Sequence, residues 1–192
     1  MFTGIITYLG EVIEKSEGSL RIKTDRELLN NLPVGVSIAV DGICLTAVDL
    51  TEESFSVDFI PETEKKTNIE HLKVGSSVNL ELPATANSLL SGHIVQGHID
   101  GIAKLESVTQ ESNSRILKFS ISKDLTKYIV EKGSVTVNGI SLTVIDVGDD
   151  FFTVGIIPHT WDETMLRTIK AGDYVNIEVD VLAKYIEKLI KV

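Results

Sequence analysis

Short apolar runs punctuated by turn residues fill most of the chain. Residues 12–13, 20–24, 37–40, 44–50, 55–60 and 78–82 are rich in β-branched and aromatic side chains and are bounded by Gly, Pro, Asp or Asn. That pattern predicts short strands. Residues 116–122, 134–137, 141–147, 152–157 and 174–179 repeat it. Residues 2–9 are also β-prone, and their expected counterpart is residues 99–104, because each places a glycine before an apolar pair. Many short strands at close spacing predict a small antiparallel barrel or sandwich in each half. Brief helices are expected where Thr24 and Glu27 take capping-box spacing ahead of Pro33 and Gly35, over residues 124–130, and from Thr67.

After Asp180 the period changes. Leu182, Ile186 and Ile190 fall four apart, with Val181, Tyr185 and Leu189 beside them, while Lys184, Glu187, Lys188 and Lys191 take the other face. This predicts an amphipathic helix over residues 181–191, with Asp180 as its cap. A helix that short is not stable alone in water. Its stripe must dock either on its own barrel or on copies of itself at a symmetry axis.

The two halves are copies of each other. Residues 40–46 read Val-Asp-Gly-Ile-Cys-Leu-Thr and residues 137–143 read Val-Asn-Gly-Ile-Ser-Leu-Thr, an offset of 97. Residues 37–82 and 134–179 align without a gap and share 18 identities in 46 positions. Chance would give about three. The expected organisation is a barrel over residues 1–90, a second over 91–180 and a helix over 181–192. Residues 83–97, with Pro83, Asn87, Ser91 and Gly92, form the expected linker.

Composition narrows the functional classes. The net charge is −10 and no basic patch exceeds Lys65-Lys66, which argues against nucleic acid. The single cysteine rules out an internal disulfide framework and suits a reducing compartment. No apolar run approaches a membrane span, and residues 1–9 carry no positively charged leader pattern. A cytoplasmic protein is expected.

Candidate chemistry gathers at three places. Gly92-His93-Ile94-Val95-Gln96-Gly97-His98-Ile99-Asp100-Gly101 holds two histidines that the repeat does not duplicate. A metal reading is weak, since no third histidine or cysteine lies near and metal-site spacings are tighter. His93 reads as a structural histidine; His98 sits beside a glycine that would let backbone approach a ligand. Cys44 and Thr46, like Ser141 and Thr143, are two apart on a strand and share a face. They read either as structural strand residues or as two versions of one pocket wall. Ile60-Pro61-Glu62-Thr63 and Ile157-Pro158-His159-Thr160 form the third repeated signal. Two similar pockets differing at Cys44/Ser141, Glu62/His159 and Asp41/Asn138 suit two similar ligands held in different roles.

The opening Met-Phe-Thr-Gly-Ile, the paired Asp-Gly-Ile-Cys-Leu-Thr and Asn-Gly-Ile-Ser-Leu-Thr, the Gly/His junction and the terminal Lys-Tyr-Ile-Glu-Lys-Leu together resemble the riboflavin synthases of the alpha-chain type. The resemblance covers essentially the whole chain. It departs at Glu81-Leu82-Pro83-Ala84, Ser91-Gly92 and Thr164-Met165-Leu166. It implies an all-β chain of two closed six-stranded Greek-key barrels with a C-terminal helix. It implies conversion of two 6,7-dimethyl-8-ribityllumazine molecules into riboflavin and 5-amino-6-(ribitylamino)uracil, without metal or external redox cofactor. It also implies a homotrimer with active sites between neighbouring chains. Carried over by position, the N-terminal pocket would use Gly4, Ile5, Ile6, Cys44, Leu45, Thr46, Asp58, Phe59, Ile60, Pro61, Glu62 and Thr63. The C-terminal pocket would use Gly97, His98, Ile99, Lys132, Ser141, Leu142, Thr143, Ile157, Pro158, His159, Thr160, Trp161 and Asp162. His98, Cys44, Ser141 and Thr143 are the expected catalytic groups, His98 because its ordinary pKa suits proton transfer near neutrality. The alternative is a non-catalytic lumazine- or flavin-binding protein of the same fold.

Overall fold

The computed structural model describes residues 1–190 and forms two closed antiparallel barrels with one C-terminal helix. The first barrel comprises β1 (Tyr8–Ser16), β2 (Ser19–Lys23), β3 (Ser37–Val40), β4 (Ile43–Leu50), β5 (Ser54–Asp58) and β6 (Ser77–Glu81). Their order around the barrel is β1-β2-β5-β4-β3-β6, a Greek key. The second repeats that order with β7 (Gly101–Glu111), β8 (Ser114–Ser120), β9 (Ser134–Val137), β10 (Ile140–Val147), β11 (Phe151–Ile156) and β12 (Tyr174–Val179). Alternating residues point inward and fill each barrel: Leu20, Ile22, Phe55 and Leu80 in one, Leu105, Phe119, Phe152 and Ile177 in the other. Each such side chain contributes about 1.5–3 kcal/mol by burial. With the interiors packed, any ligand must bind outside the barrels.

The expected strands recur within two residues of their predicted limits except at the leading ends: residues 12–13 are the middle of β1, and β7 starts at Gly101 and runs on to Glu111 where residues 99–104 are expected. Residues 2–7 are not a strand; β1 begins at Tyr8, and Phe2 makes one isolated bridge to Val95. Gly10 faces Val78 while Ala103 faces Val175, so the leading ends of the copies are offset by 103 − 10 = 93 residues. The counterpart of Gly4 is therefore Gly97 and not Gly101. The four extra residues lie in the longer β7–β8 hairpin. Local helices also differ from expectation. Thr24 does not cap α1 (Arg26–Asn30); its hydroxyl donates to Leu9 O at 2.9 Å instead. The helix expected over 124–130 is one turn, α3 (Lys123–Thr126). Thr67 does cap a 3₁₀ turn, Asn68–His71, by accepting from Ile69 N, and Thr164 caps its copy, Met165–Thr168.

The barrels meet across an approximate two-fold axis. The β3–β4 turn (Asp41, φ 46°; Gly42, φ 79°) touches the β9–β10 turn (Asn138, φ 45°; Gly139, φ 78°). Both turns need left-handed residues in sequence, which Asp-Gly and Asn-Gly supply. A Cβ on Gly42 would come within 2.6 Å of Gly139 N. Around this contact lies a buried polar seam. Asn79 N and Asn68 Nδ2 donate to the two Asp41 carboxylate oxygens, each at 2.9 Å. Asn176 Nδ2 donates to Asp41 O at 2.9 Å and to Asn68 Oδ1 at 2.8 Å. Asn79 Nδ2 donates to Asn138 O at 2.9 Å. Burial raises the Asp41 carboxyl to about 7 despite the donors that favour its charge.

The last helix, α5 (Val181–Ile190), is capped by Asp180, whose Oδ1 accepts from Leu182 N at 2.9 Å. Lys191, expected on its polar face, lies outside the described residues. The helix lies on the second barrel by its charged side. Lys184 pairs with Asp100 at 2.6 Å, and Glu187 pairs with Lys127 at 2.8 Å and accepts from the Tyr128 hydroxyl. The apolar stripe therefore does not dock on its own barrel. Leu182, Tyr185, Ile186 and Leu189 remain 56–73 % exposed.

Candidate active site

The pleat of β4 sends Ile43, Leu45 and Ala47 into the first core and leaves Cys44 and Thr46 outside. β10 does the same with Ser141 and Thr143. Thr46 pairs with Asp58 on β5. Bulges set Val48 and Ile145 at matching places in β4 and β10, and both are exposed, as are Ile60 and Ile157 nearby. Each barrel thus carries an outer shelf with two small polar groups and an apolar edge. Helices α2 (Pro61–Lys66) and α4 (Pro158–Glu163) then start with proline in the first turn, where no donor is needed. They bring Glu62 and Thr63 to the first rim and His159, Thr160, Trp161 and Asp162 to the second. Arg115 lies 4.2 Å over the Trp161 ring; the repeat position is Gly18, so the first shelf has no such pair. Leu45, Leu142 and Phe59 are buried in the barrel cores, and only their backbones can face a ligand.

The leading segments of the two copies are exchanged. Cys44 N donates to Gly97 O at 2.9 Å, and Ser141 N donates to Gly4 O at 2.8 Å. Ile99 packs on the first core and Ile6 on the second. The grouping expected from sequence is therefore crossed: Gly4, Ile5 and Ile6 border the Ser141 shelf, and Gly97, His98 and Ile99 border the Cys44 shelf. Only glycine fits the approach. A Cβ on Gly97 would lie 2.6 Å from Cys44 Cβ, and one on Gly4 would lie 2.6 Å from Ser141 Cβ. Two buried glutamates hold the straps from the home barrel. Glu81 accepts from Thr3 N at 2.7 Å and Gly4 N at 3.0 Å, and Glu178 accepts from Gln96 N at 2.7 Å and Gly97 N at 2.8 Å. Burial raises both carboxyls, against the pull of those N–H donors. The signal for them was present in sequence: Glu81 and Glu178 are identical polar residues repeated inside apolar strands.

The two histidines go to different places. His98 is exposed on the strap beside Cys44. His93 places Nδ1 at 2.7 Å from Ser141 Oγ. Burial lowers the His93 pKa, with Asp180 opposing it, which favours the neutral ring. Lys132 holds a left-handed φ of 63° where the first copy has Gly35, a strained position for a side chain. Its Nζ is exposed near Glu131. A separate cleft of about 590 Å³ between the barrels is lined by residues including Asp41, Asn68, His71, Met165 and Tyr174; Asp41, expected to distinguish the two pockets, is instead buried in the inter-barrel seam and not on the Cys44 shelf. There the exposed His71 stacks on Tyr174 at 4.4 Å.

The lumazine binding domain model matches residues 3–83 and again 96–180. Riboflavin synthase from Actinobacillus pleuropneumoniae is 42% identical over 99% of this chain and 90% of its own length. That from Mycobacterium tuberculosis is 40% identical over 100% of this chain and 98% of its own. The chain belongs to the riboflavin synthase family. Among solved structures, LumP complexed with riboflavin superposes with a TM-score of 0.85 at 27% identity, covering 94% of this chain and 100% of that one. LumP complexed with 6,7-dimethyl-8-(1'-D-ribityl) lumazine gives 0.83 at 25% identity. The family model starts its second copy at residue 96 and its first at residue 3, the same 93-residue offset that pairs Gly4 with Gly97. This riboflavin synthase family member therefore carries the lumazine binding domain twice.

Proposed function

We propose that this chain is a riboflavin synthase in which the two shelves hold two molecules of 6,7-dimethyl-8-ribityllumazine, one as donor and one as acceptor of a four-carbon unit. The observation that carries this is the pair of strap-bordered walls, Cys44/Thr46 with Gly97-His98 and Ser141/Thr143 with Gly4-Ile5. Both walls are intact, and a binding protein needs only one. The walls differ where the roles must differ. The reaction removes a proton from the C7 methyl of one lumazine and adds a nucleophile at C7 of the other. His98, exposed on the first shelf, is the group for the proton. Cys44 beside it, and Thr143 and Ser141 on the other shelf, flank the two C7 positions. Lys132 and the rims at Asp58–Thr63 and Ile157–Asp162 address the ring edges and ribityl chains.

Each shelf is open on one side within a single chain. The outward apolar stripe of α5 also lacks cover from its own barrel. We infer a homotrimer in which the α5 stripes meet at the axis and the first shelf of one chain faces the second shelf of a neighbour. That closes two half-sites into one water-poor site, as carbanion chemistry requires. We place the protein in the cytoplasm, where its unpaired Cys44 stays reduced.

The test is anaerobic incubation of the purified protein with 6,7-dimethyl-8-ribityllumazine, without added cofactor or metal. One riboflavin per two substrates is expected, with His98→Ala and Cys44→Ser both slowing it. Tight, fluorescent binding without turnover would instead assign a LumP-like binding role, the reading favoured by the superposition alone.

A further inference from the structure

His93 is absent from the carried-over site, yet it makes the one side-chain hydrogen bond recorded for the Ser141 hydroxyl among the described residues. The contact is built rather than incidental. His93 N donates to Thr3 O at 3.2 Å, which pins the histidine to the strap that borders Ser141. Gly92 leaves room for it: a Cβ there would lie 2.1 Å from Thr3 O and 2.9 Å from Ser141 Cβ. On the first shelf, among the described residues, no imidazole hydrogen-bonds the Cys44 thiol; His98, beside it on the strap, is exposed.

The other ring nitrogen decides the direction of this bond. His93 Nε2 is buried and, among the described residues, has no partner. The neutral ring carries one proton. Orphaned buried N–H groups are rarer than orphaned acceptors. The proton therefore belongs on Nδ1, where it has Ser141 Oγ to bond, and Nε2 keeps only a lone pair. In that tautomer the histidine cannot take a proton from Ser141 through Nδ1. The arrangement is the reverse of a serine–histidine nucleophile pair, in which the imidazole accepts.

We propose that His93 is a positioning residue that donates from Nδ1 to Ser141 Oγ and thereby commits the Ser141 hydroxyl proton to the ligand on the second shelf. Ser141 is then an oriented donor to an acceptor atom of the pteridine edge, a carbonyl oxygen or a ring nitrogen, and not a nucleophile. This rests on the two-shelf reading above, and it separates the shelves chemically: the second presents a fixed O–H donor, the first a free thiol.

Two measurements test it. The first needs no variant: a long-range ¹H–¹⁵N spectrum of the wild-type protein at pH 7, with the His93 ring assigned through its backbone. Protonation at Nδ1 with a bare Nε2 is expected; a proton on Nε2 overturns the proposal. The second compares His93→Leu, His93→Asn, Ser141→Ala and the double variant His93→Leu/Ser141→Ala. Asn places an amide N–H where Nδ1–H sits but cannot exchange a proton. His93→Leu is expected to lower kcat/KM by about ten- to a hundredfold, the effect of one lost hydrogen bond in a closed site. His93→Asn is expected to restore most of that loss, with a pH profile unchanged in shape. The double variant should be no worse than Ser141→Ala. Loss of activity in His93→Asn as deep as in His93→Leu, or additive losses in the double variant, would show proton transfer or a merely structural role. If the wild type makes no riboflavin, the two-shelf enzyme reading fails. The tautomer and the lumazine affinity of the same variants, read by fluorescence titration, still decide the His93 proposal.

Discussion

The inter-barrel seam allows a sharp test, because Asp41 is a fully buried carboxylate with a neutral twin. In the second copy Asn138 takes its place, and Met165 takes the place of Asn68. The perturbation is Asp41→Asn. Burial raises the Asp41 carboxyl from 3.8 to about 7. Between those values the unfolded chain releases a proton that the folded chain keeps. This contribution to stability is therefore full below pH 3.8, falls as pH rises to about 7, and is flat beyond. The difference corresponds to about 4 kcal/mol, or roughly 10 °C in melting temperature for a chain of this size. The asparagine variant has no such slope. It carries a separate, pH-independent cost. Its amide NH₂ faces the Asn68 NH₂, which cannot turn because Asn68 Oδ1 accepts from Asn176 Nδ2 at 2.8 Å. That clash costs about 1–3 kcal/mol. The variant should be less stable than wild type at pH 4.5 and at least as stable at pH 8. The double variant Asp41→Asn/Asn68→Met rebuilds the Asn138–Met165 pairing and should lie above the single variant at every pH. The assay is thermal denaturation at fixed protein concentration from pH 4.5 to 8. A wild-type-minus-variant difference that stays constant across that range would refute the assignment of a raised carboxyl to this seam.

Three further outcomes are expected. Gly42→Ala should lower stability by about 2–4 kcal/mol, since its φ is 79° and the added methyl would strike Gly139 N; thermal denaturation reads it. Leu189→Lys should leave the barrels folded, because that side chain is 73 % exposed, while shifting the sedimentation equilibrium of the proposed trimer to monomer and abolishing turnover. Glu178→Gln should cost about 1–3 kcal/mol by turning one amide NH₂ toward the Gln96 or Gly97 N–H, and should lower kcat through His98 more than Glu81→Gln does through Ile5, in steady-state assays.

The repeat and its strands were legible because both rest on local signals: an ungapped offset of 97 and turn residues that bracket each run. The shared faces of Cys44 with Thr46 and of Ser141 with Thr143 were legible for the same reason, since strand alternation alone sets them. What periodicity could not carry was which barrel each leading segment borders. The extra four residues of the β7–β8 hairpin shift the offset to 93, so an ungapped comparison aligns Gly4 with Gly101 and hides Gly97. The exchange itself depends on contacts between residues far apart in the chain, Gly4 with Ser141 and Gly97 with Cys44. The polar seam was hidden because Asn79 and Asn176 look like ordinary strand residues; their identity across the repeat was the available clue. His93 read as structural because its partner lies 48 residues away. The helix stripe was legible as an apolar face, and only the structure shows that the charged side of the helix occupies the barrel.

The crossed straps also make the two halves incomplete apart. Residues 1–90 hold Cys44 but not Gly97, and they hold a Gly4 segment with no Ser141 to receive it. Two such halves could satisfy each other by lending their first six residues reciprocally across the Asp41-Gly42 turn, which is already shaped for a two-fold contact. The duplication thus reads as the covalent joining of an interlocked pair of identical single-barrel chains, already sharing their edges, and the fusion's gain was the freedom to let Cys44 and Ser141 diverge.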